Sequence, residues 1–108
     1  MENRNTNLIE TLNQCASVCN YCASSCLTES NVEMLARCIA TDMDCADICA
    51  LTARLLARGS EHASHLLREC AEICNICGDE CEKHAGHHDH CRECAEVCRR
   101  CAEACAKA

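Results

Sequence analysis

The segments CASVCNYCASSC (Cys15–Cys26) and CAEICNICGDEC (Cys70–Cys81) carry cysteine at the same four offsets, 0, 4, 7 and 11. At about 100° per residue these offsets fall near 0°, 40°, −20° and 20°, a single narrow stripe along one helix face. Cys38, Cys45 and Cys49 keep that register, with Asp42 standing where the fourth cysteine would be. Cys91, Cys94, Cys98, Cys101 and Cys105 line one face of a further segment, so all 16 cysteines belong to four stripes. Between the stripes stand Glu69, Glu72, Asp79, Glu80, Glu93, Arg99, Arg100 and Glu103. Charged residues belong in water, so the stripes must point inward.

Turn chemistry marks where the helices begin and end. Three glycines and no proline leave long uninterrupted segments, which favours helix. Asn7 with Glu10 reads as an N-cap and an acidic first turn. Ser30-Asn31-Val32-Glu33 has the S-x-x-E form of a capping box. At Gly59-Ser60-Glu61, glycine is expected in the left-handed position after one helix and serine as the cap of the next. Within the turn 83–89, Gly86 reads as a stop and Asp89 as an N-cap. The sequence thus predicts helices over about 8–27, 31–58, 61–85 and 89–106. Short connections make successive helices antiparallel neighbours. The expected fold is all-α, an antiparallel up-down-up-down four-helix bundle with a cysteine-lined core, occupying 1–108 as one domain.

Composition bounds the function. Leu, Ile and Val together number only 17, and the single aromatic residue among Phe, Trp and Tyr is Tyr21, so sulfur must fill part of the interior. Ten basic against 17 acidic residues give a net charge of −7, which weighs against a nucleic-acid partner. The opening MENRNTNLIETL holds no apolar signal segment, and no stretch reaches the roughly 18 apolar residues of a membrane span. The expectation is a cytoplasmic protein with reduced thiols, no membrane association and no catalytic site.

Sixteen thiols in register call for a chemical reason. Cysteine as a small hydrophobe explains one or two such positions, but Leu, Ile or Val would fill the same space better. Neighbours at i, i+3 or i+4 hold their Cβ atoms about 5–6 Å apart, whereas a disulfide wants about 3.8 Å. The twin C-x9-C pattern of helical-hairpin disulfide proteins, one on each of two helices, is absent, since the long spacing in each of the first three stripes is C-x10-C. Thiolates select Cu(I), Zn(II) or iron–sulfur clusters. Replacing a thiol proton by Cu(I) leaves the core neutral, while a zinc tetrathiolate carries two negative charges that are costly to bury repeatedly. Iron–sulfur signatures sit in loops that wrap a cluster. The C-x3-C-x2-C spacing of radical S-adenosylmethionine enzymes occurs three times here, on helices and without the roughly 200 residues of a barrel, so it expresses periodicity. Cu(I) is the favoured cargo. An iron–sulfur redox protein and a zinc-thiolate reservoir are the alternatives.

The chain resembles the bacterial cysteine-rich four-helix-bundle copper storage proteins, over nearly its whole length. The residues that carry the resemblance are Cys15-x3-Cys19-x2-Cys22-x3-Cys26 and Cys38-x3-Asp42-x2-Cys45-Ala46-Asp47-Ile48-Cys49-Ala50-Leu51. To these are added Cys70-x3-Cys74-x2-Cys77-x3-Cys81 and the His-rich turn into His90-Cys91-x2-Cys94. The resemblance implies many Cu(I) ions per chain held on these thiolates, a homo-oligomer (often a tetramer of bundles) and, without a signal peptide, the cytosolic branch of the family. Some members continue the cysteine stripe where this chain has Leu8, Leu12 and Leu67, which implies fewer ions at that end and an aliphatic plug.

The two ends of the bundle therefore differ. Leu8, Leu12, Leu55, Leu56, Leu66 and Leu67 gather at one, with Cys105 nearby. The other collects Cys26, Met34, Cys38, Cys81 and Cys91 beside His84, His87, His88 and His90. His84 and His87 prolong the stripes of Cys81 and Cys91, and imidazole or thioether ligands suit the delivery of Cu(I) to thiolates. Copper is expected to enter there, with a copper chaperone or donor as a compatible partner, while His62 and His65 belong to the surface. Asp42 has two readings, a core carboxyl near the mouth that takes a proton or assists a site, or a residue that a slightly rotated helix lets reach water. Met34 reads as a thioether ligand or as core filler.

Overall fold

The computed structural model describes residues 5–108. Four α-helices follow one another: α1 (Thr6–Cys26), α2 (Ala36–Ala57), α3 (Ala63–Glu82) and α4 (Asp89–Lys107), with a short 3-10 helix (Val32–Leu35) leading into α2. No strand occurs among the described residues, and no helix there is long and apolar enough to cross a membrane. Each helix packs on two neighbours, α1 on α2 and α4, α3 on α2 and α4. Side-chain pairs give the directions: Cys15, Cys19 and Cys22 meet Cys98, Cys94 and Cys91 in descending order, and Cys38, Cys45 and Cys49 meet Cys81, Cys74 and Cys70. The bundle is antiparallel and square in section.

Fifteen cysteines are fully buried and Cys105 is 4% exposed. Four helices bring four stripes to a common axis, so the interior is sulfur along most of its length. The aliphatic plug forms as the sequence predicts: Leu12, Leu55 and Leu56 are buried, and Leu8, Leu66 and Leu67 pack half-buried against the core. Thr52 continues the α2 stripe towards that plug, fully buried, its hydroxyl donating to the Ile48 carbonyl at 2.7 Å.

Helix boundaries depart from expectation where capping was invoked. The helix α1 begins at Thr6, before Asn7, with Asn5 in the left-handed region (φ 59°) as its cap residue. The Ser30–Glu33 box makes no side-chain cap. The chain instead enters α2 through the 3-10 turn, and the α-helix starts five residues later than predicted, at Ala36. Because a 3-10 turn advances about 120° per residue rather than 100°, the turn moves Met34 out to 72% exposure and drives Leu35 into the core. Met34 is therefore not core filler.

Gly59 behaves as predicted. It takes φ 68°, the Ser60 N–H donates to the Leu55 carbonyl at 2.9 Å and the Gly59 N–H to the Leu56 carbonyl at 3.1 Å, the paired bonds of a Schellman ending. The Ser60 hydroxyl accepts the His62 N–H at 3.1 Å, and α3 begins at Ala63. Gly86 does not take a left-handed conformation; α3 has already ended at Glu82, three residues before the predicted limit, and 83–87 form successive tight turns. The two glycines should therefore answer alanine with opposite signs. Gly59→Ala forces a side chain into the left-handed region and is expected to cost about 1 kcal/mol. Gly86→Ala meets no atom within 4 Å and should stabilise by about 0.4–1 kcal/mol through the unfolded chain. Denaturant unfolding of the reduced, metal-free protein measures both.

Candidate metal site

The stripe period places a thiol on the axis at almost every turn of each helix, and the square packing sets the sulfurs in overlapping groups of four. Cys49, Cys70, Cys74 and Cys101 form the group nearest the plug; above it come Cys15, Cys45, Cys49 and Cys74, then Cys15, Cys19, Cys45 and Cys98, then Cys19, Cys77, Cys94 and Cys98. Within each group all four sulfurs lie within 4.8 Å of one another. Successive groups share members, so the sulfurs form one continuous array. Contacts across helices are close: Cys19–Cys98, Cys45–Cys74, Cys49–Cys70 and Cys38–Cys81 all at 3.5 Å. Along a helix, i and i+4 sulfurs stand 3.8–4.0 Å apart. All 16 cysteines are free thiols, since a disulfide would need about 2.05 Å. With a metal–sulfur bond of about 2.3 Å, the length for zinc, separations of 3.5–4.0 Å subtend roughly 100–120° at an ion. The metal-free sulfurs are already spaced for ions shared among three or four of them.

Asp42 is fully buried, so the reading in which α2 rotates it to water is set aside. Its Oδ1 lies 3.0 Å from Cys77 Sγ, 3.2 Å from Cys94 Sγ and 3.3 Å from Cys81 Sγ, with Cys38 Sγ 3.9 Å from Oδ2. Burial, reinforced by Cys94, Cys77 and Cys22, pushes its carboxyl up to about 12. At neutral pH it is a protonated acid whose Oδ1 receives three S–H groups. At the histidine end burial likewise pushes Cys26 up to about 12 and raises Cys91.

At the mouth, the structure redistributes the histidines. His90 is the one that reaches the sulfurs, its Nδ1 lying 3.5 Å from Cys22 Sγ, 3.6 Å from Cys91 Sγ and 3.9 Å from Cys26 Sγ, and these four residues form another metal-sized group. His87 is exposed, and His84 turns to Glu80, its Nε2 3.7 Å from Oε2. The register argument that favoured His84 and His87 fails because α3 stops before His84, and the tight turns after Glu82 break the 100° advance per residue. His88 stacks on His90 with ring centres 5.2 Å apart. Both meet Glu29, a half-buried residue of the α1–α2 connection: Glu29 Oε2 is 2.9 Å from His90 Nε2 and 3.3 Å from His88 Nδ1. The hydrogen bond with His90 holds the Glu29 carboxyl below its ordinary range. Partial burial alone would lower His90, but its hydrogen bonds with Cys22 and Glu29 outweigh that and raise it. Glu29 stands three residues beyond Cys26, as His84 does beyond Cys81, but a carboxylate just past a helix end gives no sign in the sequence of the partner that it will meet. A second carboxylate, Glu80, is buried at the flank of this end and paired with Arg37 at 3.0 Å and Lys83 at 3.1 Å. His62 and His65 are on the surface at the opposite end.

Such an interior defines a class, the four-helix bundles that enclose a continuous thiol array fitted to several soft ions at once. The chain belongs to the copper storage protein family, whose sequence profile matches residues 1–108. The cytosolic copper storage protein of Streptomyces lividans, solved with five coppers, is 48% identical with a TM-score of 0.90, covering 93% of this chain and 87% of that one. The Cu(I)-bound copper storage protein BsCsp3 is 41% identical with a TM-score of 0.90, covering 96% of each chain. The cysteine-rich protein YhjQ of Bacillus subtilis is 43% identical over 92 residues, 85% of this chain and 83% of that protein.

Proposed function

We propose that this protein stores and buffers Cu(I) in the cytosol, binding many ions through the 16 core cysteines, from Cys15 to Cys105, without a catalytic role. The observation that carries the reading is the shared membership of the sulfur groups. Each thiolate can bridge ions above and below it, so Cu(I) can fill the array at up to about one ion per sulfur with little net charge. Relatives of the same fold solved with copper favour copper over zinc, and no loop among the described residues wraps a cluster-sized cage. Copper passes in at the histidine end, where His90 with Cys22, Cys26 and Cys91 makes the outermost group and Asp42 with Cys77, Cys81 and Cys94 the next. His84, His87 and His88 line or flank that approach. A copper chaperone or donor docking here, and assembly of bundles into a homo-oligomer, are compatible with the exposed Tyr21, Leu27 and Ile76.

Anaerobic titration of the reduced protein with Cu(I) against a competing chelator tests the reading. Saturation is expected on the order of ten ions per chain or more; saturation at two or three rejects storage. Cu(I) displaces the proton of each thiol that it binds, so loading must release protons, that of Cys26, with its acidity pushed up to about 12, among them. Retention against a fixed chelator should then weaken as pH falls and strengthen as it rises.

A further inference from the structure

The mouth contains a carboxylate whose geometry decides what the histidines offer. Glu29 Oε2 stands 2.9 Å from His90 Nε2 and 3.3 Å from His88 Nδ1. A carboxylate only accepts, so His90 Nε2, which is hydrogen-bonded to it, carries the proton. In neutral imidazole the opposite nitrogen is then a lone pair. For His90 that nitrogen is Nδ1, directed at the sulfurs of Cys22, Cys91 and Cys26 at 3.5–3.9 Å. His88 stands within ion-pair reach of the same carboxylate, and its Nε2 is buried and has no hydrogen-bond partner. If Glu29 were absent, the His90 ring could place its N–H towards the sulfurs and present no lone pair to metal.

We infer that Glu29 is the positioning residue of the copper mouth, accepting the Nε2–H of His90 so that His90 Nδ1 is held as an open lone pair for incoming Cu(I), with His88 stacked on His90 beside the same carboxylate. The arrangement is that of a metal-ligating histidine oriented by an outer carboxylate. Glu29 sits on the α1–α2 connection and the histidines at the start of α4, so the contact also ties the two chain segments that frame the mouth. The inference rests on the storage reading for its cargo, but the orientation of the His90 ring is a property of the metal-free protein.

Two measurements test it. Nitrogen-15 NMR of the reduced, metal-free wild type, at a pH where the His90 ring is neutral, reads the tautomer directly. His90 is expected with its proton on Nε2, and Glu29→Ala should convert it to a mixture. Stopped-flow loading with Cu(I) should then slow about tenfold in Glu29→Ala, with Glu29→Asp restoring part of the rate and total capacity unchanged in both variants. A wild-type His90 protonated on Nδ1, or a Glu29→Ala protein loading at the wild-type rate, overturns the inference. A helical content equal to wild type by circular dichroism is required of the variants; if Glu29→Ala does not reach it, the wild-type tautomer alone decides. Failure of the storage reading is separate, since it appears as low total capacity in the wild type itself.

Discussion

Asp42→Asn is expected to stabilise the metal-free bundle by about 2–4 kcal/mol at pH 7, because the wild-type carboxyl must stay protonated in the folded state while it ionises in the unfolded chain. Its acidity moves from 3.8 unfolded to about 12 folded. Below pH 3.8 both states hold the proton and the stability is whole. Above it the unfolded chain gains by ionising and the folded state does not, so stability falls by up to about 1.4 kcal/mol per pH unit as pH rises towards the folded value. Asparagine keeps the shape and an oxygen able to receive the S–H groups of Cys77, Cys81 and Cys94, and has nothing to titrate. The difference between the two proteins in guanidinium unfolding, measured under reducing and chelating conditions from about pH 4 to 8, should grow with pH. The thiols titrate in both and cancel. A difference independent of pH would mean that Asp42 is ionised in the fold and that water or a cation reaches it.

Filling the core should have the other large effect. An ion held only by the folded protein adds about 2.7 kcal/mol when its free concentration is a hundredfold above its dissociation constant. Two such sites already correspond to a rise in midpoint of roughly 20 °C or more for a chain of this size, and the sulfur array offers several. The metal-free protein should nevertheless show its own cooperative transition, since Leu12, Leu35, Leu55, Leu56 and the alanines between the stripes supply ordinary bundle packing. Calorimetry of the metal-free and Cu(I)-loaded forms measures both. If the metal-free chain is unstructured, copper drives folding and release would require unfolding. A store that keeps its shape when empty can be filled and drained repeatedly, which is the functional sense of a bundle that packs without metal.

The mouth gives these effects a direction. Leucines close one end of the sulfur array, and His90, Glu29 and His88 frame the other. On the proposed entry route, ions would meet first Cys22, Cys26, His90 and Cys91, next Cys77, Cys81 and Cys94 around Asp42, and then groups made of cysteine alone. Imidazole and carboxyl oxygen are weaker partners for Cu(I) than thiolate, so affinity would rise inward along such a path.

The amino-acid sequence by itself determined the helical class, the inward direction of the four cysteine stripes, the leucine plug and the Gly59 ending. Each of these depends on a repeat of hydrogen bonds four residues apart, or on a turn that only one residue type tolerates, and both are written locally. Tertiary structure alone decided the rest. Leu35 displaced Met34 from the core because a 3-10 turn, not the anticipated capping box, leads into α2. His90 reached the sulfurs in place of His84 and His87 because the stripe period means nothing once the helix has stopped. Asp42 proved to be fully buried because burial is a sum over three neighbouring helices, and Glu29 became visible only when the α1–α2 connection came to rest against the start of α4. Periodicity extends as far as the helix that generates it; where chain segments turn and meet, the partner of a side chain is fixed by packing.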